Sequence, residues 1–163
     1  MTAPIALLVT GSRSLVRDPR KEAWARAIIS ATVAELPPWS TVVHGGATGP
    51  DSWAQEAIEA RRDDHGLLSA VIYEANGRRW RWTIGDGDLW WSDDRWHPAD
   101  IGPLVRNRHM VEVALPEQVT FGHEPRVLAL VDSTSHKKGT DHTVGLARKA
   151  GYPVDRRVWT VTP

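Results

Sequence analysis

Cysteine is absent from the sequence, which excludes disulfide bonds and thiolate metal sites. Charge of one predominant sign is also absent. Because 20 basic residues balance 20 acidic ones, long-range attraction to nucleic acid or to an anionic membrane is not expected. No apolar run approaches membrane-spanning length, and the N-terminal residues lack the basic region and the long apolar run of a signal peptide. We therefore predict a cytoplasmic protein with no membrane partner, in which any anion site must be built locally.

Phenylalanine is scarce, with one residue against nine tryptophans, and the tryptophans are unevenly placed. Five of them lie within residues 76–100, at Trp80, Trp82, Trp90, Trp91 and Trp96. Residues 79–84 alternate with period two and residues 85–88 have turn composition, so this stretch is predicted to be an inserted hairpin. Its tryptophans either stack on a base or on nucleic acid, or pack against the domain or a second subunit. Packing is the favoured interpretation, which leaves a homo-oligomer open.

Short apolar runs alternate with helical patterns along the rest of the chain. The runs are 5–10, 41–43, 67–73, 127–131 and 153–161. Asp18 and Pro19 predict the start of the first helix, Pro116 the end of the third, and Gly151 the C-cap of the fourth. The alternation predicts one α/β domain over residues 1–163, whose mostly parallel sheet of about five strands is covered on both faces.

Three polar turns follow predicted strands at their carboxyl ends. They are Gly11-Ser12-Arg13, the glycine-rich segment 44–51 and the segment 132–140. In a parallel sheet these ends meet at one edge, where ligands bind at the point at which strand order reverses. Glycine turns that lead into helix N-termini suit a phosphate or carboxylate, since the first N–H groups of a helix are unpaired. The sequence therefore predicts an anion site at this edge, with the tryptophan-rich stretch projecting near it.

The predicted ligand-binding residues lie in these turns and in the third helix. Glycine N–H groups of residues 45, 46, 49 and 139 are expected to donate to the ligand, and Arg13 and Arg106 to supply charge. Asp51 either binds a ribose hydroxyl or forms a capping box with Thr48. The full set is Gly11, Ser12, Arg13, His44, Gly45, Gly46, Thr48, Gly49, Asp51, Arg106, Asn107, Lys138, Gly139 and Thr140. The histidine spacing predicts no metal site.

Four ordered motifs resemble the SLOG superfamily, and specifically its YspA-like branch, which is common in bacteria and phages. They are Val9-Thr10-Gly11-Ser12-Arg13, then His44 to Asp51, then Gly102-Pro103-x-x-Arg106-Asn107-x-x-Met110, then Gly139-Thr140 before a helix ending at 150–154. The resemblance implies a Rossmann-like, doubly wound fold and a nucleotide or nucleotide-derived ligand. Better-known relatives in the superfamily are the Lonely-guy phosphoribohydrolases and the single-strand DNA binder DprA. We predict no cofactor.

The resemblance departs from the Lonely-guy pattern at the catalytic glutamate, where this chain has Thr143. N-glycosidase chemistry would then need a carboxylate from another loop, and Asp51 and Asp132 are the candidates. A nucleotide-binding or sensing protein is therefore the expected function. A phosphoribohydrolase-like nucleotide hydrolase is the first alternative. A single-stranded nucleic-acid-binding module is the second, favoured by the arginines and tryptophans of 78–96 and opposed by the neutral net charge.

Overall fold

A computed structural model describes residues 2–65, 68–76, 79–84, 90–93, 102–135 and 138–160. For residues 62–65, 69, 73–76, 79–84, 90–93, 102–103 and 138 the description covers the backbone only. The strands are β1 Ile5–Gly11, β2 Thr41–His44, β3 Ser69–Asn76, β4 Arg79–Ile84, β5 Trp90–Asp93, β6 Glu124–Asp132 and β7 Val154–Trp159. The helices are α1 Pro19–Ala34, α2 Pro50–His65, α3 Gly102–His109, α4 Leu115–Thr120 and α5 Lys138–Lys149.

The strands form one sheet in the order β5-β4-β3-β2-β1-β6-β7. The run β3-β2-β1-β6-β7 is parallel throughout, which confirms the predicted parallel core of about five strands. The chain moves outward from β1 through β2 to β3, and then returns to the other side of β1 through β6 and β7. Strand order therefore reverses between β1 and β6, as in Rossmann-like doubly wound folds.

Alternate residues of β1 face two separate cores, because successive side chains of a strand point to opposite faces. Ile5, Leu7 and Val9 pack in the core beneath α1 and α2. Ala6 and Leu8 pack with residues of α5 and of the segment that joins α3 to α4. The sheet is thus covered on both faces, which is why its strands read as nearly continuous apolar runs.

The tryptophan-rich stretch extends the sheet instead of projecting from its carboxyl edge. Strand β4 pairs antiparallel with β3, and β5 pairs antiparallel with β4, so a hairpin is present as predicted. Backbone hydrogen bonding to β3 makes this hairpin the outer part of the same sheet, which corrects the expectation that it would project near the ligand edge. Trp96 and the predicted turn at 85–88 lie outside the described residues, as do the side chains of the other four tryptophans.

The prediction that Pro116 ends the third helix is wrong, because the helical run continues past this residue. A π-helical turn, Met110–Ala114, follows α3 and leads directly into α4. In that turn the N–H of Leu115 donates to the carbonyl of Met110, five residues earlier. Pro116 then occupies the first turn of α4, where its missing N–H group has no cost. Two ends were predicted correctly: Asp18 caps α1 through the N–H of Arg20, and Gly151 has φ of 81° after α5.

None of the helices in the described part of the chain is long and apolar enough to cross a membrane.

Candidate ligand cleft

A cleft of about 630 Å³ opens where the strand order reverses, at the carboxyl ends of β1 and β6. Its size lies within the range of small-molecule sites. The turn after β1, the loop after β2, helix α3 and the segment after β6 all reach it. The lining residues are Thr10, Gly11, Ser12, Arg13, Ser14, Arg17, Ala47, Thr48, Pro50, Asp51, Leu104, Arg106, Asn107, Met110, Thr134, Ser135, Gly139 and Thr140. The three predicted turns therefore meet at one edge of the sheet.

Gly11 is required by packing at the floor of the cleft. A Cβ atom there would clash with the Pro50 ring and would lie 3.0 Å from the carbonyl oxygen of Leu130. The next residue, Ser12, joins the two strands that flank the reversal. Its N–H donates to Leu130, and its hydroxyl accepts the N–H of Asp132 at 3.1 Å. Both residues line the cleft as predicted, but the N–H and hydroxyl groups of Ser12 are already used to join β1 to β6.

The N–H groups of the glycine-rich loop are used inside the loop, which revises their predicted role. Gly45 donates to the carboxylate of Asp51 at 3.2 Å, and Gly46 donates to Nδ1 of His44 at 3.0 Å. Gly49 donates to the hydroxyl of Ser52 at 3.1 Å. Gly45, Gly46 and Gly49 are not among the residues that line the cleft, and their amides already have acceptors within the loop, so phosphate binding by these amides stays a prediction. Gly46 and Gly49 have positive φ values of 66° and 103°, which other residues rarely adopt, so both positions favour glycine for its backbone conformation.

His44 is also part of the loop's internal bonding. Its ring is almost fully buried, and its Nε2 pairs with Oε1 of Gln55 at 2.8 Å. Since Nδ1 accepts from Gly46, Nε2 carries the proton that it gives to Gln55. Both ring nitrogens are therefore committed, and His44 fixes the loop without reaching the cleft.

Asp51 lines the cleft and closes the glycine loop. One carboxylate oxygen, Oδ2, accepts the N–H groups of Gly45 and Ala47, each at 3.2 Å. The capping box predicted between Thr48 and Asp51 is not formed. Instead Gly49 precedes the helix, and Ser52 makes the reciprocal bonds with it. The other oxygen of Asp51, Oδ1, has no hydrogen-bond partner among the described residues.

Arg106 is the buried cation of the cleft. Its side chain donates from Nε to the side-chain oxygen Oδ1 of Asn107 and from Nη1 to the backbone carbonyl oxygen of Gly45, both at 3.0 Å. Burial lowers the pKa of Arg106, the carboxylate of Asp51 opposes this shift, and the nearby Arg13 charge adds to it. Within the described part of the chain no carboxylate forms an ion pair with Arg106, so its charge is incompletely compensated.

Arg13 adds a second positive charge to the same cleft. It is exposed, lies in a 3-10 turn at Arg13–Arg17, and forms no hydrogen bond or ion pair with any described residue. Arg17, which the sequence analysis did not select, lines the cleft from the end of the same turn. Arg13 and Arg106 line the same cleft, and the charge of Arg13 adds to the lowering of the Arg106 pKa. A ligand with negative charge would relieve the repulsion between these two charges.

The first turn of α5 faces the cleft through Gly139 and Thr140. Their N–H groups belong to the first helical turn, where backbone donors have no intrahelical acceptor. Asn107 holds this turn loosely through a 3.4 Å contact from Nδ2 to the carbonyl oxygen of Gly139. Thr143 is fully buried and donates back to the same carbonyl at 3.0 Å, so it does not reach the cleft. Lys138 begins α5, and its side chain lies outside the described residues.

Asp132, the second candidate carboxylate, is buried beneath the cleft and does not line it. Burial by itself would raise its pKa, but hydrogen bonds from Lys21, Thr134 and Ser14 outweigh burial and hold the pKa well below its usual range. The Lys21 ammonium lies 2.8 Å from Oδ2. A carboxylate so fully bonded is a poor general base, which argues against the predicted catalytic role of Asp132.

Several lining residues were missed by the sequence analysis. Ser14 and Arg17 follow Arg13 within one tight turn, and Thr134 and Ser135 follow Asp132, so proximity to the selected residues was the available signal. Leu104 and Met110 form an apolar part of the wall, and Met110 also belongs to the core. Among the described residues no group of three or more histidines and carboxylates could hold a metal ion.

Comparison of the chain with protein-family models, with curated proteins and with solved structures found no match.

Proposed function

We propose that the cleft binds a nucleotide or a nucleotide-derived ligand through its phosphate. One observation carries the proposal: Arg13 and Arg106 both line the cleft at the strand reversal, and neither has a carboxylate ion-pair partner among the described residues. Guanidinium groups form strong, charge-assisted bonds with phosphate oxygens. The unpaired first-turn amides of α5 add donors with a favourable helix dipole.

Because Arg106 is buried, an anion bound to it would be more stabilising than an anion bound to an exposed arginine. Its Nε and Nη1 are occupied by Asn107 and Gly45, whereas Nη2 has no bond to any described residue. A buried cation is costly unless it is paired, because it has lost its hydration. A phosphate in the cleft would restore that pairing at Nη2, and Arg13 would complete a clamp from the exposed side.

The size and composition of the cleft favour a nucleotide over a bare phosphate. A volume of about 630 Å³ far exceeds one phosphate group. Leu104 and Met110 supply apolar surface for a base or sugar, and hydroxyl groups line the remaining wall. The resemblance of the ordered motifs to the SLOG superfamily supports the same ligand class. A binding or sensing role in the cytoplasm fits these features, and the glycine loop serves as a scaffold for Asp51 and Arg106.

The proposal is tested by native mass spectrometry of the purified protein, followed by a thermal-shift panel. The panel contains nucleoside mono-, di- and triphosphates, cyclic nucleotides and ADP-ribose-type compounds. A ligand that binds only the folded state raises the melting temperature, and the rise grows logarithmically with the ratio of ligand concentration to Kd. We expect at least one phosphate-bearing compound to stabilise the protein and the matching nucleoside to do so less. A panel without any stabilising compound would contradict the proposal.

A nucleotide hydrolase of N-glycosidase type is the second candidate, and the geometry of Asp51 favours it. Asp51 is the one carboxylate among the described lining residues, and its Oδ1 is unbonded within them. That oxygen could stabilise an oxocarbenium-like sugar or orient a water molecule. Release of free base from nucleoside monophosphates, followed by chromatography, tests this candidate. Turnover at about 1 per second or more that is lost in Asp51→Asn would establish hydrolysis.

A nucleic-acid-binding role depends on the side chains of the tryptophan-rich stretch, which lie outside the described residues. It therefore stays a hypothesis from the sequence. Titration with single-stranded DNA at two salt concentrations separates it from nucleotide binding, because contacts to a phosphate backbone weaken steeply with salt. Tight, salt-sensitive binding that is lost in Trp80→Ala would favour it.

A further inference from the structure

The hydroxyl groups after β1 and β6 form a hydrogen-bonded cluster around Asp132. Its Oδ2 accepts from the hydroxyl of Ser14 and from the ammonium of Lys21, both at 2.8 Å. Its Oδ1 accepts from the N–H of Thr134 at 3.0 Å and from the hydroxyl of Thr134 at 2.7 Å. The carboxylate is fully buried and ionised, so it can only accept.

Counting protons fixes the direction of every hydroxyl in this cluster. Ser14 has one hydroxyl proton, which it gives to Asp132. The 2.6 Å bond between Ser14 and Ser135 must therefore be donated by Ser135. Thr134 likewise gives its proton to Asp132 and accepts from Lys21 at 3.0 Å. All three hydroxyl protons point inward, along chains that end on the Asp132 carboxylate.

These three residues line the cleft, so the wall that they form offers lone pairs to a ligand and no protons. A hydroxyl oxygen has two lone pairs, and Ser135 uses neither within the described residues. We propose that Ser14, Thr134 and Ser135 form a hydrogen-bond acceptor subsite that binds a donor group of the ligand, namely a ribose hydroxyl, with Ser135 as its principal contact. This inference rests on the proposed nucleotide binding and assigns the sugar end of the cleft.

The same wall is unsuited to a phosphate. Its hydroxyl oxygens would face phosphate oxygens without a proton between them, and the ion pair of Asp132 and Lys21 behind them supplies no net positive charge to attract an anion. The guanidinium groups of Arg13 and Arg106 and the backbone N–H groups of the first turn of α5 present donors to the cleft. The cleft is therefore divided into a donor side for the phosphate and an acceptor side for the sugar. A sugar hydroxyl, which has a proton to give, is complementary to the acceptor side.

The experiment measures the affinities of five probes by calorimetry or by NMR titration. The probes are AMP, 2′-deoxy-AMP, 3′-deoxy-AMP, IMP and inorganic phosphate, each with the parent, Ser135→Ala and Ser133→Ala. Ser133 is a matched control because it is exposed, bonds to the carbonyl of Trp159 and does not line the cleft. Inorganic phosphate reports an intact cationic side, so it shows whether Ser135→Ala is folded at the site.

We expect Ser135→Ala to weaken AMP binding about 3- to 10-fold, the value of one hydrogen bond, and to leave phosphate affinity unchanged. One deoxy analogue should bind the parent equally weakly, and Ser135→Ala should not weaken it further. Ser133→Ala should match the parent for every probe. If IMP binds more weakly than AMP and neither deoxy analogue does, the acceptor subsite is supported, but the donor group is the amino group of the base and the assignment to ribose is overturned.

Equal AMP affinity in the parent and Ser135→Ala, with both deoxy analogues and IMP bound as tightly as AMP, would overturn the acceptor subsite while leaving nucleotide binding intact. Absence of binding by inorganic phosphate and by every compound of the nucleotide panel would overturn the proposed function itself, and the subsite with it. The two failures are therefore distinguishable.

Discussion

Arg106 donates a 3.0 Å hydrogen bond from Nη1 to the carbonyl oxygen of Gly45, which lies 61 residues earlier in the chain. The glycine loop that resembles a phosphate cradle is thus a support for a buried arginine. Asp51 holds the N–H of Gly45 while Arg106 holds its carbonyl. Both peptide groups that flank this residue are therefore tied to charged side chains of the cleft.

Gly45→Ala tests that support. An added Cβ atom would lie 2.6 Å from Nη1 of Arg106 and 2.9 Å from Oδ2 of Asp51, so both charged groups must shift. We expect the free energy of unfolding to fall by about 1 to 3 kcal/mol, as for overpacked sites, together with a loss of ligand affinity. Urea unfolding and a ligand titration measure the two effects. A variant as stable as the parent would contradict this prediction, because it would show that the loop accommodates the added Cβ atom without a cost in stability.

Gly139→Ala separates stability from binding. Its Cβ atom would meet only Nδ2 of Asn107, at 3.8 Å, and would otherwise enter the cleft. Replacing a helical glycine with alanine favours the helix by up to about 1 kcal/mol. We therefore expect a protein at least as stable as the parent that binds its ligand roughly tenfold more weakly, because a methyl group occupies the ligand's space.

Gly145→Ala is the matched control for Gly139→Ala. Gly145 lies on the exposed side of the same helix, and nothing is within 4 Å of its added Cβ atom. It should gain similar helix stability without a change in affinity. Equal affinities in the two variants would place the ligand away from the first turn of α5.

Asp132→Asn tests the buried carboxylate through the pH dependence of stability. Burial opposes ionisation of Asp132, but hydrogen bonds from Lys21, Thr134 and Ser14 hold its folded-state pKa well below the ordinary value of 3.8. The stability that this carboxylate contributes is therefore present above pH 3.8 and is lost as the pH falls through the folded pKa. The free energy of unfolding of the parent should therefore fall more steeply below pH 3.8 than that of Asp132→Asn. At neutral pH the variant should be less stable by about 3 kcal/mol, because Lys21 loses its partner. Parallel pH profiles from urea unfolding would contradict this account.

The sequence was sufficient to predict the parallel sheet and the edge at which its turns converge. Apolar runs such as Val127–Val131 identify strands buried on both faces, and these lie within the observed β6. Local rules also predicted the start of α1 at Pro19 and the left-handed Gly151, since each depends on residues adjacent in the chain. Pro116 was misread because a π-helical turn, which has no simple sequence signal, places it at the start of a new helix.

The internal use of the loop donors could not be predicted in the same way. Whether the amide of Gly45 faces a ligand or Asp51 depends on the fold of the turn and not on its glycines. The bond between Ser14 and Asp132 joins residues 118 positions apart. The sequence places both at strand ends, but only their tertiary contact shows that Asp132 organises hydroxyl groups instead of facing the cleft.

The most direct test of the central claim is the affinity of Arg13→Ala for the nucleotide that stabilises the parent most. Arg13 is exposed and bonds to no described residue, so its removal should leave the free energy of unfolding unchanged. Arg108→Ala is the control, because Arg108 is an exposed arginine of α3 that does not line the cleft. We predict that Arg13→Ala binds roughly 10- to 100-fold more weakly, as expected for a lost charge-assisted hydrogen bond, and that Arg108→Ala binds as the parent does. Equal affinity in all three proteins would contradict the claim that this cleft holds a phosphate.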